Sequence, residues 1–299
     1  MKVLLLTHPM PASPYGTALL EALPDVTAVE YTPQLGDAEL AEVDAVLAWS
    51  FPPGVAGRLK RLRWVCAVSA GVDKLLVPEL HPDVPVSRIV DPEQGQGIAQ
   101  FVALMALRHA RQLPLYERQA RDHQWRRHPV AAVRSTVLVL GTGAMGSAVA
   151  DMLRSVGFDV RGWSRQQGGA LDDALAAADI VVCALPLTPQ THGLLDARRL
   201  ACMRKGAYLI NIARGHHVVE ADLVDAVRSG HLAGAALDVQ QQEPLPPDHP
   251  LWGVEGITIT PHIAAQSSVD TIATQFVAGL RCLLRGEPPP QQVDRQRGY

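Results

Sequence analysis

Short apolar runs rich in Val, Ile and Leu recur along this chain, and they fall into two series. Val3–Leu6, Ala45–Trp49, Trp64–Val68 and Val84–Val90 form the first. Thr136–Leu140, Val160–Trp163, Ile180–Leu185, Tyr208–Ile212, Gly234–Val239 and Ile257–Thr260 form the second. A strand with one wet face alternates apolar and polar side chains. A continuous run is buried on both faces, as in a parallel sheet covered by helices. Two series therefore predict two α/β units.

Helical spacing fills the intervals. Within Gln94–Asp122, Ile98, Phe101, Val102, Met105 and His109 share one face, with Leu104 and Leu107 beside it. This predicts one long helix connecting the units. Gln124–Arg134 contains Pro129 and reads as a loop into the second unit, and Arg121, Arg126, Arg127 and Arg134 as solvated charge. In Ser267–Arg285, Val269, Ile272, Phe276, Leu280 and Leu283 recur at helical spacing, and Gly286 and Pro288–Pro290 stop the helix. That helix is expected to return to the first unit. The expected division is residues 1–95 plus 268–299 for a discontinuous substrate domain and 96–267 for a nucleotide domain.

Composition narrows the function classes. A chain of 299 residues suits two domains, and 47% hydrophobic with 19% charged residues is ordinary for a globular protein. Net charge is −3 with no block of like charges, which argues against nucleic acid as the main partner. No run approaches the ~20 apolar residues of a membrane span. The opening M-K-V-L-L-L-T-H-P has too short an apolar run for a signal peptide, so the cytoplasm is the expected compartment. Cys66, Cys183, Cys202 and Cys282 are far apart and read as reduced thiols. No His, Cys or carboxylate cluster has metal-ligand spacing, and His216–His217 reads as a solvated turn, so no metal is expected.

Two stretches carry chemistry. In S-T-V-L-V-L-G-T-G-A-M-G, Gly141, Gly143 and Gly146 lie between a strand and an amphipathic helix marked by Met145, Val149, Met152 and Val156. This is the context in which G-x-G-x-x-G signals a dinucleotide. Gly141 would make the tight turn, Gly143 would admit the pyrophosphate, and Gly146 would let the helix pack on the sheet. The next strand ends in Ser164-Arg165, where an NAD site usually carries an acidic residue for the ribose; Asp159 lies too early. A guanidinium there can pair with a 2′-phosphate, which predicts NADP(H) as the preferred cofactor with NAD(H) possible. Further on, Arg214, Asp238 and His262 each follow a strand-like run, and Glu243 lies in a loop after one. In open parallel sheets ligands bind outside the strands' carboxyl ends. An arginine can hold a 2-oxo acid, and a histidine paired with a carboxylate can move a proton on its oxygen.

The motifs V-S-A-G-V-D (Val68–Asp73), G-T-G-A-M-G, G-W-S-R (Gly162–Arg165) and L-P-L-T-P-Q-T (Leu185–Thr191) extend the pattern over nearly the whole chain. So do G-A-Y-L-I-N-I-A-R-G (Gly206–Gly215), G-A-A-L-D-V (Gly234–Val239), T-P-H-I-A-A-Q (Thr260–Gln266) and the terminal R-G-Y. With these the chain resembles the D-2-hydroxyacid dehydrogenases, in particular their glyoxylate/hydroxypyruvate reductase A branch. The resemblance implies two doubly wound parallel-sheet domains, a flavodoxin-like substrate domain and a Rossmann cofactor domain, with the active site in the cleft between them. It implies a catalytic set of Arg214 as substrate anchor, Glu243 as carboxylate partner and His262 as acid/base. It places Ala144, Met145, Leu185, Pro186, Thr191, Ile212, Ala213 and Ala264 at the cofactor, and Asp238 at the nicotinamide carboxamide. The backbone at Ala70, Gly71 and Val72 resembles the loop that grips the substrate carboxylate. Trp49 either lines that pocket or is simply packed. A homodimer is implied as well.

Three positions depart from the family pattern: Gln240 where an aromatic is frequent, Gln100 where Glu is frequent, and Ser50 where this branch often has Lys. The last of these bears on substrate choice, and none is itself a member of the Arg–Glu–His set. The expected activity is reduction of small 2-oxo acids, glyoxylate and hydroxypyruvate first. The alternatives are an NAD-linked dehydrogenase of a bulkier 2-hydroxy acid and a non-catalytic dinucleotide-sensing protein.

Overall fold

The structure is a computed structural model that describes residues 1–128, 135–165, 168 and 170–295. Pro129 and Arg134 of the expected loop, and the terminal R-G-Y motif, lie outside the described residues. The chain divides into two compact units, Met1–Pro92 with Gln266–Tyr299, and Glu93–Ala265.

The elements run β1 (Lys2–Leu6), α1 (Ser13–Ala22), β2 (Thr27–Glu30), α2 (Asp37–Ala41), β3 (Ala45–Ala48), β4 (Trp64–Ala67) and β5 (Val86–Ser87). Then come α3 (Pro92–Ala110), α4 (Leu113–Arg121), β6 (Thr136–Leu140), α5 (Ala144–Ser155), β7 (Asp159–Trp163), α6 (Leu171–Ala176) and β8 (Ile180–Cys183). The chain finishes with α7 (Ala197–Cys202), β9 (Tyr208–Asn211), α8 (Glu220–Arg228), β10 (Gly234–Leu237), β11 (Ile257–Ile259) and α9 (Val269–Leu284).

In the first unit five parallel strands run in the order β2-β1-β3-β4-β5. This is the flavodoxin-like order. The unbroken runs in β3 and β4 are buried throughout, as two-sided coverage requires. Helix α9 belongs to this unit and begins at Ser268, whose side chain caps the Thr271 N–H. Phe276 stacks on Trp64 with ring centres 5.1 Å apart. Gly279 faces the same indole, where a Cβ would stand 2.2 Å from it.

Two features of this sheet depart from the sequence pattern. Strand β2 has no apolar run because it is an edge strand with its two end residues exposed. The long run at Val84–Val90 yields only the two residues of β5. Pro85 stands beside them, and proline removes a ladder donor.

In the second unit six parallel strands run in the order β11-β10-β9-β8-β6-β7. The order reverses at β6, whose neighbours are β7 and β8. A reversal of this kind opens a crevice beyond the carboxyl ends of the strands. The expected single connecting helix is two helices, α3 and α4, broken at Gln112, which adopts φ 56°. Pro114 accounts for the break: it has no N–H for the carbonyl four residues back, and its ring would clash there. Leu104, grouped with the apolar face in the sequence, is 57% exposed, and Gly95, Ala99, Val102, Ala103, Met105 and Ala106 form the buried stripe. The buried stripe of α5 is Gly146, Val149, Ala150 and Leu153 rather than a Met145–Val156 face.

Candidate active site

All strands of the second unit are parallel, so the segments after β6, β8, β9, β10 and β11 emerge at one edge of the sheet. Every chemistry-bearing candidate of this unit lies on one of these segments or just after β7.

The turn after β6 carries the three glycines, and the structure gives each a different reason. Gly141 adopts φ +103°, and a Cβ there would stand 2.6 Å from the Ala184 carbonyl. A Cβ on Gly146 would stand 1.8 Å from the Gly141 carbonyl oxygen, so the start of α5 closes directly on the turn. Around Gly143 nothing lies within 4 Å of such an atom. Gly143 is the N-cap of α5 and no side chain caps the helix. First-turn N–H groups have no partner within their own helix, so those of Ala144, Met145 and Gly146 face the open side with the positive end of the helix dipole. This is an anion cradle of the kind that holds a pyrophosphate. Ser164 and the exposed Arg165 follow β7, the strand paired with β6. Beyond β8, the Pro186 carbonyl accepts the Thr191 hydroxyl at 2.8 Å. Thr191 also accepts from the Thr188 N–H at 2.8 Å, so Leu185–Thr191 is a braced loop.

Arg214 follows β9 in extended conformation, after buried Ile212 and Ala213, and Nη1 donates to the Ala213 carbonyl at 2.8 Å. Buried Asn211 fixes the turn: its Nδ2 donates to the Arg214 carbonyl at 2.9 Å and its Oδ1 accepts from the Ala213 N–H at 3.1 Å. His217 corrects the sequence reading. It is not solvated but completely buried, with Nδ1 3.0 Å from the Arg214 carbonyl oxygen and Nε2 3.2 Å from that of Pro186. It therefore ties the arginine turn to the loop after β8. Its neighbour His216 is exposed, as a turn residue was expected to be.

Asp238 follows β10 and is 1% exposed. Its Oδ1 accepts from the Thr260 hydroxyl at 2.6 Å and the Ile263 N–H at 2.9 Å, and its Oδ2 from the Ala264 N–H at 2.8 Å. Its carbonyl accepts from the His262 N–H at 2.8 Å. The carboxylate expected at the nicotinamide thus also anchors the whole segment that presents His262. That anchoring has work to do, because His262 adopts φ 57°, a costly conformation for a residue with a Cβ. His262 Nδ1 lies 3.1 Å from Glu243 Oε2 and 3.2 Å from Oε1, with both side chains largely buried. The contact sets the ring's orientation, with the carboxylate placed to accept from an Nδ1–H.

The sequence reading missed the polar supports: buried Asn211 and His217, buried Gln240 in the loop before Glu243, and buried Glu220 at the start of α8. Glu220 Oε1 accepts from the Gln241 N–H at 2.8 Å. Asn211 lies within a quoted motif and Gln240 directly follows another, but nothing in the spacing of the four marks them as buried.

The remaining candidates belong to the first unit and follow its strands. Trp49 comes directly after β3, with the Lys74 ammonium 4.8 Å from its ring centre. Ala70, Gly71 and Val72 follow β4; the Ser69 hydroxyl donates to the Gly71 carbonyl at 2.8 Å, and Val72 points into the core.

Burial pushes the Cys183 thiol up to about 12 and the Cys66 thiol higher still, so both act as small apolar groups. Among the described residues no group of three potential ligands could hold a metal, and no helix is long and apolar enough to cross a membrane.

Residues 103–264 match the model of the D-isomer specific 2-hydroxyacid dehydrogenase NAD-binding domain. A glyoxylate/hydroxypyruvate reductase A from Serratia proteamaculans is 36% identical over 274 residues, covering 86% of this chain and 88% of that protein. A D-isomer specific 2-hydroxyacid dehydrogenase from Xanthobacter autotrophicus Py2, solved with NADPH and MES, superposes with a TM-score of 0.86 at 41% identity, covering 100% of this chain and 99% of that one. An NADPH-dependent glyoxylate/hydroxypyruvate reductase from Sinorhizobium meliloti, solved with NADP and sulfate, gives a TM-score of 0.88 at 32% identity over 100% of this chain and 99% of that one. These similarities extend over both units, and the chain belongs to the D-isomer specific 2-hydroxyacid dehydrogenase family.

Proposed function

We propose that this protein is a reductase of small 2-oxo acids, glyoxylate and hydroxypyruvate first, with NADP(H) preferred and NAD(H) usable. The single observation that carries this reading is the Glu243–His262 pair, with Nδ1 3.1 Å from the carboxylate, on the sheet edge that also bears the dinucleotide turn and Arg214. The relatives named above support the substrate class and the cofactor.

The cofactor's pyrophosphate would sit on the N–H groups of Ala144, Met145 and Gly146. Its adenosine 2′-phosphate would meet Arg165 and Ser164. The segments Leu185–Thr191, Ile212–Ala213, Asp238 and Ala264 would flank the rest. Bound NADPH supplies a hydride to the carbonyl carbon. The Arg214 guanidinium holds the substrate carboxylate and the carbonyl oxygen in one plane and stabilises the negative charge that builds on that oxygen. His262 delivers the proton from Nε2, and Glu243 holds Nδ1–H so that the ring stays aimed. In the oxidative direction the same ring accepts the proton.

We also read the protein as a cytoplasmic homodimer. Trp125 is 92% exposed, Leu104 57% and Leu113 44%, all on α3, α4 and the segment just after them. Large exposed apolar side chains gathered on one stretch suit burial against a second copy.

Initial rates with glyoxylate, hydroxypyruvate, pyruvate and phenylpyruvate, each with NADPH and NADH, test the assignment. The expected order places the two small substrates and NADPH first. A preference for phenylpyruvate with NADH would favour the bulky-substrate alternative, and no turnover of any 2-oxo acid would favour a dinucleotide sensor.

A further inference from the structure

Gln240 touches the segments of all three proposed catalytic residues. Its backbone N–H donates to Glu243 Oε1 at 3.2 Å. Its side-chain Nε2 donates to the Leu237 carbonyl at 3.0 Å and, at the longer distance of 3.4 Å, to that of Thr260. Leu237 ends β10, and Thr260 lies two residues before His262. Its own carbonyl group lies against Gly215, the residue after Arg214: a Cβ at 215 would stand 1.9 Å from the carbonyl carbon.

The two strand-end carbonyls already accept one backbone N–H each. Leu237 takes that of Thr260 at 3.0 Å, and Thr260 that of His262 at 3.0 Å. The Gln240 amide supplies a second donor to both, so it clamps the end of β10 to the start of the His262 segment. At 5% exposure it does so where water cannot easily stand in for a lost donor. The same residue's N–H restrains the carboxylate that orients the imidazole. An aliphatic side chain or a phenylalanine could fill the space but would supply no such donor.

We propose that Gln240 is a positioning residue for the Glu243–His262 pair, acting through this double clamp rather than by touching substrate. The proposal rests on the reductase reading. A displacement of an acid/base by about 1 Å costs on the order of 100-fold in rate, so a clamp one residue away from direct contact has a measurable effect.

The test is Gln240→Met, which keeps length and burial and removes the donor, made alone and in a His262→Ala background. NADPH binding is followed by fluorescence, and turnover is measured with glyoxylate across pH. The expected result is a kcat lower by about 10- to 100-fold, an NADPH Kd within about twofold, and a displaced pH profile of kcat. In the His262→Ala background the same change should cost less than about twofold, since the clamp acts through the histidine. Gln240→Glu also keeps the shape but turns the donor into an acceptor facing two carbonyls. It should show the same pattern, and it carries the test if the methionine variant does not fold. An unchanged kcat and pH profile beside a lowered Tm would assign Gln240 a merely structural role and overturn the proposal. So would equal losses in the two backgrounds. An intact kcat in His262→Ala alone would overturn the acid/base role of His262, and this proposal with it, whereas no turnover of any 2-oxo acid by the wild type would overturn the reductase reading.

Discussion

Gly215 backs onto Gln240 so closely that a Cβ at position 215 would stand 1.9 Å from the Gln240 carbonyl carbon and 2.2 Å from its oxygen. The turn that carries Arg214 and the loop that carries Glu243 are therefore in backbone contact, with no room for even one methyl group between them. Gly215→Ala must push the two apart, at a cost of about 1–3 kcal/mol in stability from overpacking. The larger effect should fall on turnover, because Arg214 moves with the turn. We expect kcat/KM for glyoxylate to fall on the order of 100-fold. A variant with Tm and kcat/KM both intact would show that the contact has slack.

Asp238 gathers the Thr260 hydroxyl and the N–H groups of Ile263 and Ala264 on one buried carboxylate. Asp238→Ala leaves those donors without their acceptor, at about 1–3 kcal/mol for each that water does not reach. It also frees the segment that holds His262 at positive φ. Chemical denaturation should show a loss of several kcal/mol, with kcat falling alongside. If stability is lost while kcat holds, the segment keeps its shape without Asp238.

Arg165 is exposed just past β7, the strand beside the glycine turn. Pairing with a 2′-phosphate would make it the main discriminator between the two cofactors. Arg165→Ala should lower the ratio of kcat/KM with NADPH to that with NADH by about tenfold or more. An unchanged ratio places the preference elsewhere.

His109 stacks on Tyr208 with ring centres 4.3 Å apart. Burial holds its imidazole below the usual pKa, against an opposing pull from Asp179. The unfolded chain takes up this proton near the ordinary value of ~6.5, while the native state resists it. Stability is therefore fully present above about pH 6.5 and is lost as pH falls toward the lowered native value. His109→Phe retains a stacked ring and cannot charge. Urea unfolding at about pH 7.5 and about pH 5.5 should show a smaller acid-side loss in this variant than in the wild type. Equal losses would mean that other groups dominate the acid limb.

Much of the fold was legible in the sequence because buried parallel strands leave apolar-rich runs, and the ends of those runs mark the carboxyl edge of the sheet. Arg214, Asp238 and His262 were singled out by that position. What escaped notice depends on contacts distant in sequence. Strand β2 has no run because an edge strand needs only part of its surface covered. The break at Gln112 was written in Pro114, but the apolar face of α3 runs straight up to it and masks it. His217 and Gln240 are polar residues in polar-looking turns; their burial comes from Pro186 on one side and Thr260 on the other, and local composition does not report either. Asp238 was read as a cofactor contact, and its three bonds to the His262 segment became visible only with the fold.

In the proposed mechanism His262 exchanges the proton while the cofactor binds independently of it. The most direct test is His262→Ala, with kcat followed by NADPH consumption on glyoxylate and with NADPH affinity measured separately by fluorescence. The expected result is a kcat lower by about 10²–10⁴-fold, the usual contribution of a positioned acid/base, with the Kd for NADPH nearly unchanged. A kcat within a few-fold of wild type would contradict it.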